Sequence, residues 1–227
     1  MARSSGTLAA RTPRQLLAQT VPYTSVATVY NDGLMETGWH SWSWGMDYYN
    51  QKSTAVHMDG SRSSLCMQVQ PFGALSLRSG MPFTLDGTLG FYMRGSNMTA
   101  DPTAGSPPSS QGSQQPYGLG DLEVQFESSS PSMYTISQSF TLRELLANQA
   151  PSGADKATWA NDTLAAMQAG QWTAFKVFMR SFVPPTLNAK FDRITLGPCL
   201  QKQTGSSCPV AGDLAFCMDK VVMVTLT

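Results

Sequence analysis

The sequence predicts an all-β protein, two antiparallel sheets packed face to face with a short helical insertion, and two observations lead there. About ten short segments alternate apolar and polar residues, the period of a half-buried strand, with Gly, Pro, Asn and Asp clusters between them. Only 13% of the 227 residues are charged, about half the usual share, while Ser, Thr, Gly and Gln are plentiful. Neither an internal repeat nor a second hydrophobic core appears. Residues 26–227 therefore read as one sandwich domain behind an N-terminal arm over 1–25.

The first strand is Ser25 to Tyr30, a β-branched run ended by the turn signal Asn31-Asp32-Gly33. Ala55–Met58 and Ser63–Gln70 read as strands. In the second, Leu65, Met67 and Val69 share one face and Cys66, Gln68 and Gln70 the other. Gly73–Arg78 is a further short strand, and Thr88–Arg94 follows a turn at Asp86-Gly87. Residues 96–118 are Ser, Pro, Gln and Gly, from which no core can be built, so they read as a flexible loop. Asp121–Glu127 resumes the sheet with Leu122, Val124 and Phe126 inward, and Tyr134–Phe140 is its expected hairpin partner.

The helical insertion spans 141–169. Thr141 and Glu144 have capping-box spacing, which starts one helix, and residues 155–169 form a second that ends at Gly170. Trp172–Phe182, Phe191–Leu196 and Leu214–Leu226 complete the strands.

Residues 38–49 hold three of the five tryptophans and two of the seven tyrosines. Trp42, Ser43 and Trp44 alternate, so both indoles point to one face of a sheet, and they read as core-filling rings. Trp39 falls on the other parity. Together with Tyr48 and Tyr49 it is read as a platform on which the apolar face of a sugar ring could stack. Arg78, Arg94, Asn50, Gln51 and Gln125 are the nearby hydrogen-bonding candidates.

Fifteen basic and fifteen acidic residues cancel, so no overall field draws the chain to nucleic acid or to an anionic membrane surface. No apolar run is long enough to insert in a bilayer. Arg3, Arg11 and Arg14, with no acid before Asp32, give the N-terminus the composition of an organelle transit peptide. A surface-hugging or disordered arm is the competing reading.

Two features point instead to the cell exterior. Asn97-Met98-Thr99 and Asn161-Asp162-Thr163 fit the N-glycosylation tripeptide, each in a segment that reads as loop. Four cysteines permit two disulfides, Cys199 with Cys208 and Cys66 with Cys217 being the favoured pairing, against four reduced and buried thiols.

The order of landmarks resembles the jelly-roll β-sandwich carbohydrate-binding modules of extracellular polysaccharide-active and cell-wall proteins. The resemblance rests on Val29-Tyr-Asn-Asp-Gly33, the Gly-Trp-x-x-Trp-Ser-Trp-Gly segment over Gly38–Gly45, Val56–Ser63, Leu75–Ser79, Leu89–Gly95, Trp172–Val177 and Phe216–Val222. It implies a jelly roll and a non-catalytic role in binding glycan or polysaccharide through Trp39, Trp42, Trp44, Tyr48, Tyr49 and Arg94. For many such modules it also implies a structural Ca2+, here carried onto Asp32, Asp219 and Asp59. In these sandwiches the first and last strands are adjacent, so two carboxylates far apart in sequence could share a hard cation. The competing reading makes Asp32 and Asp59 turn residues bonded to their own backbones and Asp219 an edge-strand charge.

Catalysis has little to work with. His40 and His57 are the two histidines, and no nucleophile elbow, phosphate-cradling loop or metalloprotease motif occurs. Glu36, Asp47, Glu123 and Glu127 are the carboxylates that could in principle form a glycosidase pair. The chain is therefore read as no enzyme. Two functions stand against each other: a glycan-binding module, and a structural subunit of an extracellular or surface assembly that uses the sandwich for contacts with neighbouring protein subunits.

Overall fold

A computed structural model describes residues 24–96, 118–129, 134–182, 189–200 and 213–226. The arm up to residue 23, residues 97–117 of the Pro/Ser/Gln loop, Asn97 and Cys208 lie outside these ranges.

The fold is the all-β, two-sheet antiparallel jelly-roll sandwich with a small helical insertion that the sequence predicts. Its strands, in chain order, are β1 (Thr24–Asn31), β2 (Leu34–Met35), β3 (Trp39–Ser41), β4 (Trp44–Ser53), β5 (Ser64–Phe83) and β6 (Gly87–Gly95). They continue with β7 (Leu122–Ser128), β8 (Thr135–Ile136), β9 (Phe140–Thr141), β10 (Thr173–Phe178), β11 (Phe191–Pro198) and β12 (Leu214–Leu226). Helices α1 (Leu142–Gln149) and α2 (Lys156–Gln168) sit between β9 and β10.

β5 organises the whole. Its first half pairs with β12, on which β6 and then β10 follow, and β4 lies along its other side. Its second half leaves that sheet and pairs with β11 and β3, and β11 carries β7. The sequence reads Ser63–Gln70 and Gly73–Arg78 as two strands, with Pro71 between them. The chain runs through that residue as one 20-residue strand that changes sheets there. Glycines make the crossing compact. A Cβ on Gly73 would lie 2.1 Å from the Gly45 carbonyl oxygen, and one on Gly197 would lie 2.6 Å from the Gly73 oxygen, so three backbones meet where any side chain would collide.

The two sheets share one core. Leu65, Met67, Val69, Leu89, Phe91 and Phe216 from the first face Leu75, Leu77, Phe126, Phe191, Ile194 and Leu196 from the second. Alternation along each strand then sends Ser76, Arg78, Arg193, Thr195, Gln125 and Glu127 to the outer face of the second sheet. It sends Cys66, Gln68 and Cys217 to the outer face of the first.

β1 runs antiparallel to β12, with Thr28 opposite Val222, so the opening and closing strands are neighbours as expected. The expected strand over Ala55–Met58 is absent, that segment being a bend, and the single hairpin partner expected for β7 is two separate dipeptide strands.

The capping box is present. Thr141 Oγ1 accepts from the Glu144 amide while Glu144 accepts from the Thr141 amide at 2.8 Å. α2 starts on Asp155, whose carboxylate accepts from the Thr158 amide at 2.7 Å; that bond holds its pKa below the ordinary value. The sequon at Asn161 therefore lies on a helix and not in a loop. Among the described residues no helix is long and apolar enough to cross a membrane.

Candidate ligand-binding face

The tryptophan-rich stretch divides between core and surface in the opposite sense to the sequence reading. Trp39 is 6% exposed and packs its ring 6.2 Å from Phe83, so it belongs to the core and is not a stacking platform. Trp42 and Trp44, expected inside, are 49% and 37% exposed. Residues 42 and 43 lie outside any strand, so the expected strand alternation does not extend through Trp42. Trp42 precedes β4, and its backbone amide donates to the Ser76 carbonyl at 2.8 Å while Ser43 Oγ accepts from the Ser76 amide at 3.1 Å. That pairing lays the segment along the second half of β5. Trp44 Nε1 donates to the Phe72 carbonyl at 3.0 Å, beside the glycine crossing that fixes its strand.

Trp42 is the centre of a charged cluster. The guanidinium carbon of Arg78 lies 4.2 Å from its ring centroid and that of Arg193 4.9 Å, both within cation–π range. Each arginine is also tied to an acid. Arg78 Nε reaches Asp192 Oδ2 at 3.4 Å, and Arg193 Nη1 reaches Glu127 Oε2 at 3.6 Å. Asp192 further accepts from the Ser129 amide at 2.8 Å and from the Ser129 hydroxyl. Glu127 accepts from Gln125 Nε2 at 2.9 Å and from the Tyr134 hydroxyl at 3.2 Å. Burial, with Glu127 alongside, pushes the Tyr134 phenol above its ordinary pKa.

The floor of this face is polar and closed to solvent. Glu127 is 3% and Gln125 2% exposed, and Ser76 and Thr195 are fully buried although they point away from the core. Two polar atoms there have no hydrogen-bond partner: Gln125 Oε1 and Arg193 Nε. The bond from Gln125 Nε2 to Glu127 fixes the amide orientation, so turning Oε1 toward Glu127 would set two acceptors together. One buried acceptor and one buried donor thus sit on adjacent strands, where Gln125 pairs with Thr195 and Glu127 with Arg193.

The other candidate residues are elsewhere. Tyr48 lies on the outer face of the first sheet, where it and Trp172 pack on Val56, Cys66 and Cys217. Tyr49 stands at the β4 edge with its hydroxyl bonded to Ser41, and burial raises its pKa. Arg94, on β6, packs against the end of the helical insertion. Its guanidinium sits 6.0 Å over the Trp172 ring and against Gly170, just past the C-terminal end of α2, and burial lowers its pKa. A cation at the negative end of a helix dipole has a structural reason to be there. Arg78 and Gln125 were visible in the sequence as hydrogen-bonding candidates. Arg193, Asp192 and Tyr134 were not, because one charged residue in a strand looks like ordinary solvated surface until its neighbours are known.

The three carboxylates proposed for calcium do not fit a common site. Asp59 is exposed in its turn, and Asp32 Oδ1 accepts from the backbone amides of Arg62 and Ser63, the latter at 3.0 Å, so it clamps the first turn to a loop thirty residues on and not to its own backbone. Among the described residues no three His, Cys, Asp or Glu side chains group closely enough to hold a metal. Asp219 is no edge-strand charge, because β12 lies between β5 and β6: it is fully buried, its Oδ1 accepts from the Lys220 amide at 2.7 Å, and its Oδ2 has no partner. Tyr30 lies close by with its hydroxyl donating to the Gln51 carbonyl at 2.8 Å. Burial above all, then Asp219, pushes its pKa up.

Cys66 and Cys217 are joined by a disulfide between directly opposed residues of β5 and β12, the pairing read from the sequence. Cys199 is also disulfide-bonded. The Cys66–Cys217 bond is compatible with an extracellular location.

No protein-family model matches the chain, and no curated protein does. Among solved structures, a family 29 carbohydrate-binding module variant in complex with mannohexaose is 14% identical, over 89% of this chain and 93% of that one, with a TM-score of 0.45. A variant in complex with cellulohexaose is 13% identical, over 89% and 92%, with a TM-score of 0.44. A further structure, a carbohydrate-binding module of family 29, is 14% identical over 89% and 90%, with a TM-score of 0.45.

Proposed function

We propose that this chain is a non-catalytic carbohydrate-binding protein that takes a glycan on the outer face of its second sheet, at Trp42, Trp44, Arg78 and Arg193. The observation that carries the reading is the half-exposed Trp42 indole, with the Arg78 and Arg193 guanidiniums 4.2 and 4.9 Å from its ring centroid. An aromatic face suits the apolar C–H side of a pyranose. A sugar hydroxyl can accept from a guanidinium and donate to a carboxylate or amide oxygen, which neither a carboxylate nor an ammonium can do. Both arginines are balanced by Asp192 and Glu127, so the face carries no net charge to recruit a polyanion.

The test is a glycan array followed by calorimetry on the ligands it returns. Binding by the wild type that is lost in Trp42→Ala and weakened at least tenfold in Arg78→Ala supports the reading. Binding unchanged in both variants moves the ligand to another face, and no binding by the wild type favours the structural subunit of an extracellular assembly.

A further inference from the structure

α1 and α2 pack against each other, and between them runs a groove of about 360 Å³ lined by Arg143, Ala147, Lys156, Ala157, Ala160 and Asn161. Three of these side chains are single methyl groups, so the groove stays open where leucines would fill it. Asn161 stands at its rim on the exposed side of α2, first residue of the tripeptide Asn161-Asp162-Thr163. Its Oδ1 accepts from Arg143 Nη1. Among the described residues its Nδ2 makes no hydrogen bond, and that is the atom an N-linked sugar occupies. The disulfide between Cys66 and Cys217 belongs to the same oxidising compartment in which such sugars are added.

We propose that Asn161 carries an N-linked oligosaccharide whose first sugar lies in the α1–α2 groove over the alanine methyls. The transfer joins Asn161 Nδ2 to the anomeric carbon of a sugar donated by a lipid-pyrophosphate oligosaccharide. The bond from that carbon to the pyrophosphate breaks, the pyrophosphate leaves with the electron pair, and the amide gives up one proton to a base of the transferring enzyme. In the folded helix the Thr163 hydroxyl donates to the Trp159 carbonyl at 2.8 Å. The tripeptide is therefore read before α2 closes, during synthesis. Folding then brings Arg143 onto Oδ1, which leaves Nδ2 to carry the sugar at the groove rim. The inference is independent of the saccharide site at Trp42.

The experiment expresses the full chain behind a secretory leader in yeast and maps its glycopeptides by mass spectrometry. Asn161 is expected to be occupied and to appear as Asp after peptide:N-glycosidase treatment, with occupancy lost in Asn161→Gln and in Thr163→Ala. Trimming the glycan to its first sugar is expected to leave the melting temperature unchanged, and removing that sugar to lower it by about 2 °C. Secreted protein with Asn161 unmodified overturns the modification. Occupied Asn161 with a melting temperature indifferent to loss of the first sugar overturns the groove contact.

Discussion

The Arg78 guanidinium lies 4.2 Å from the centroid of the Trp42 indole while its Nε reaches Asp192 at 3.4 Å. One side chain thus links a surface ring to a carboxylate that is itself bonded to the Ser129 backbone. A side chain so tethered keeps the indole from collapsing onto the sheet. The indole is thus held in one orientation, and on the face proposed to bind saccharide that lowers the ordering cost of taking a ligand.

Trp39 and Trp42 are three residues apart and are expected to behave oppositely. Trp39→Ala removes a core ring packed on Phe83 and should cost about 3–5 kcal/mol in urea unfolding. Trp42→Ala loses a half-exposed ring and its cation–π contacts, about 1 kcal/mol, yet should abolish saccharide binding. Equal destabilisation by the two would contradict the division of the stretch into core and platform.

Glu127 is the buried charge on which the polar floor depends. Replacing it with Ala leaves the Arg193 guanidinium, whose side chain is only 15% exposed, without its acid, and should cost about 3–5 kcal/mol. Glu127→Gln keeps a hydrogen-bonding group and should cost less. Chemical denaturation orders the three proteins, and a Glu127→Ala protein as stable as wild type would show that Arg193 finds another partner.

The fold was legible because its signals are local. Leu65, Met67 and Val69 alternate without interruption, Thr141 and Glu144 cap a helix by spacing alone, and Leu214–Leu226 is one apolar-rich run with strand bounds as expected. What failed needed long-range knowledge. Period two says that Trp42 and Trp44 share a face, but Trp42 lies outside any strand and its place is set by Ser76, more than thirty residues on, through the bonds to Trp42 and Ser43. Arg193 and Glu127 acquire meaning only when β11 pairs with β7. Arg94 looked like a ligand-binding residue because nothing in the sequence places Gly170 and the end of α2 against it.

Asp213 gives stability a pH dependence of definite sign. Burial first, then a hydrogen bond and repulsion from Asp47, raise its folded pKa above 3.8, against an opposing bond from Gln68 at 2.9 Å. The folded chain therefore holds this proton to higher pH than the unfolded chain does. The contribution is complete below the unfolded value and is lost as pH rises through the raised one. Asp213→Asn should flatten this part of the melting-temperature profile above pH 4. An unchanged profile would assign the dependence to other groups.

Chelation separates the two readings of Asp32. As a turn clamp on Arg62 and Ser63 it needs no ion, and the three-carboxylate set does not assemble. The melting temperature is expected to be the same with and without a chelator. A chelator-induced drop that disappears in Asp219→Asn would instead place a cation on the unpartnered Asp219 Oδ2.

The disulfide adds its stability through the unfolded chain. Cys66 and Cys217 already face each other in the β5–β12 register, so the bond orders little in the folded state. Cutting it releases a closure spanning 151 residues, and loops of that size are worth about 2–5 kcal/mol when a native bridge is removed. Both sulfurs belong to a buried cluster under Val56, Tyr48 and Trp172, so a thiol reductant reaches them only when the sheet opens. Reduction is therefore expected to be slow in native buffer, to accelerate with denaturant, and to follow global unfolding. The Cys66→Ala/Cys217→Ala protein should melt lower by about 5–15 °C at this chain length. Fast reduction under native conditions, with the melting temperature unchanged, would mean that β5 and β12 separate locally and that the bridge constrains neither state.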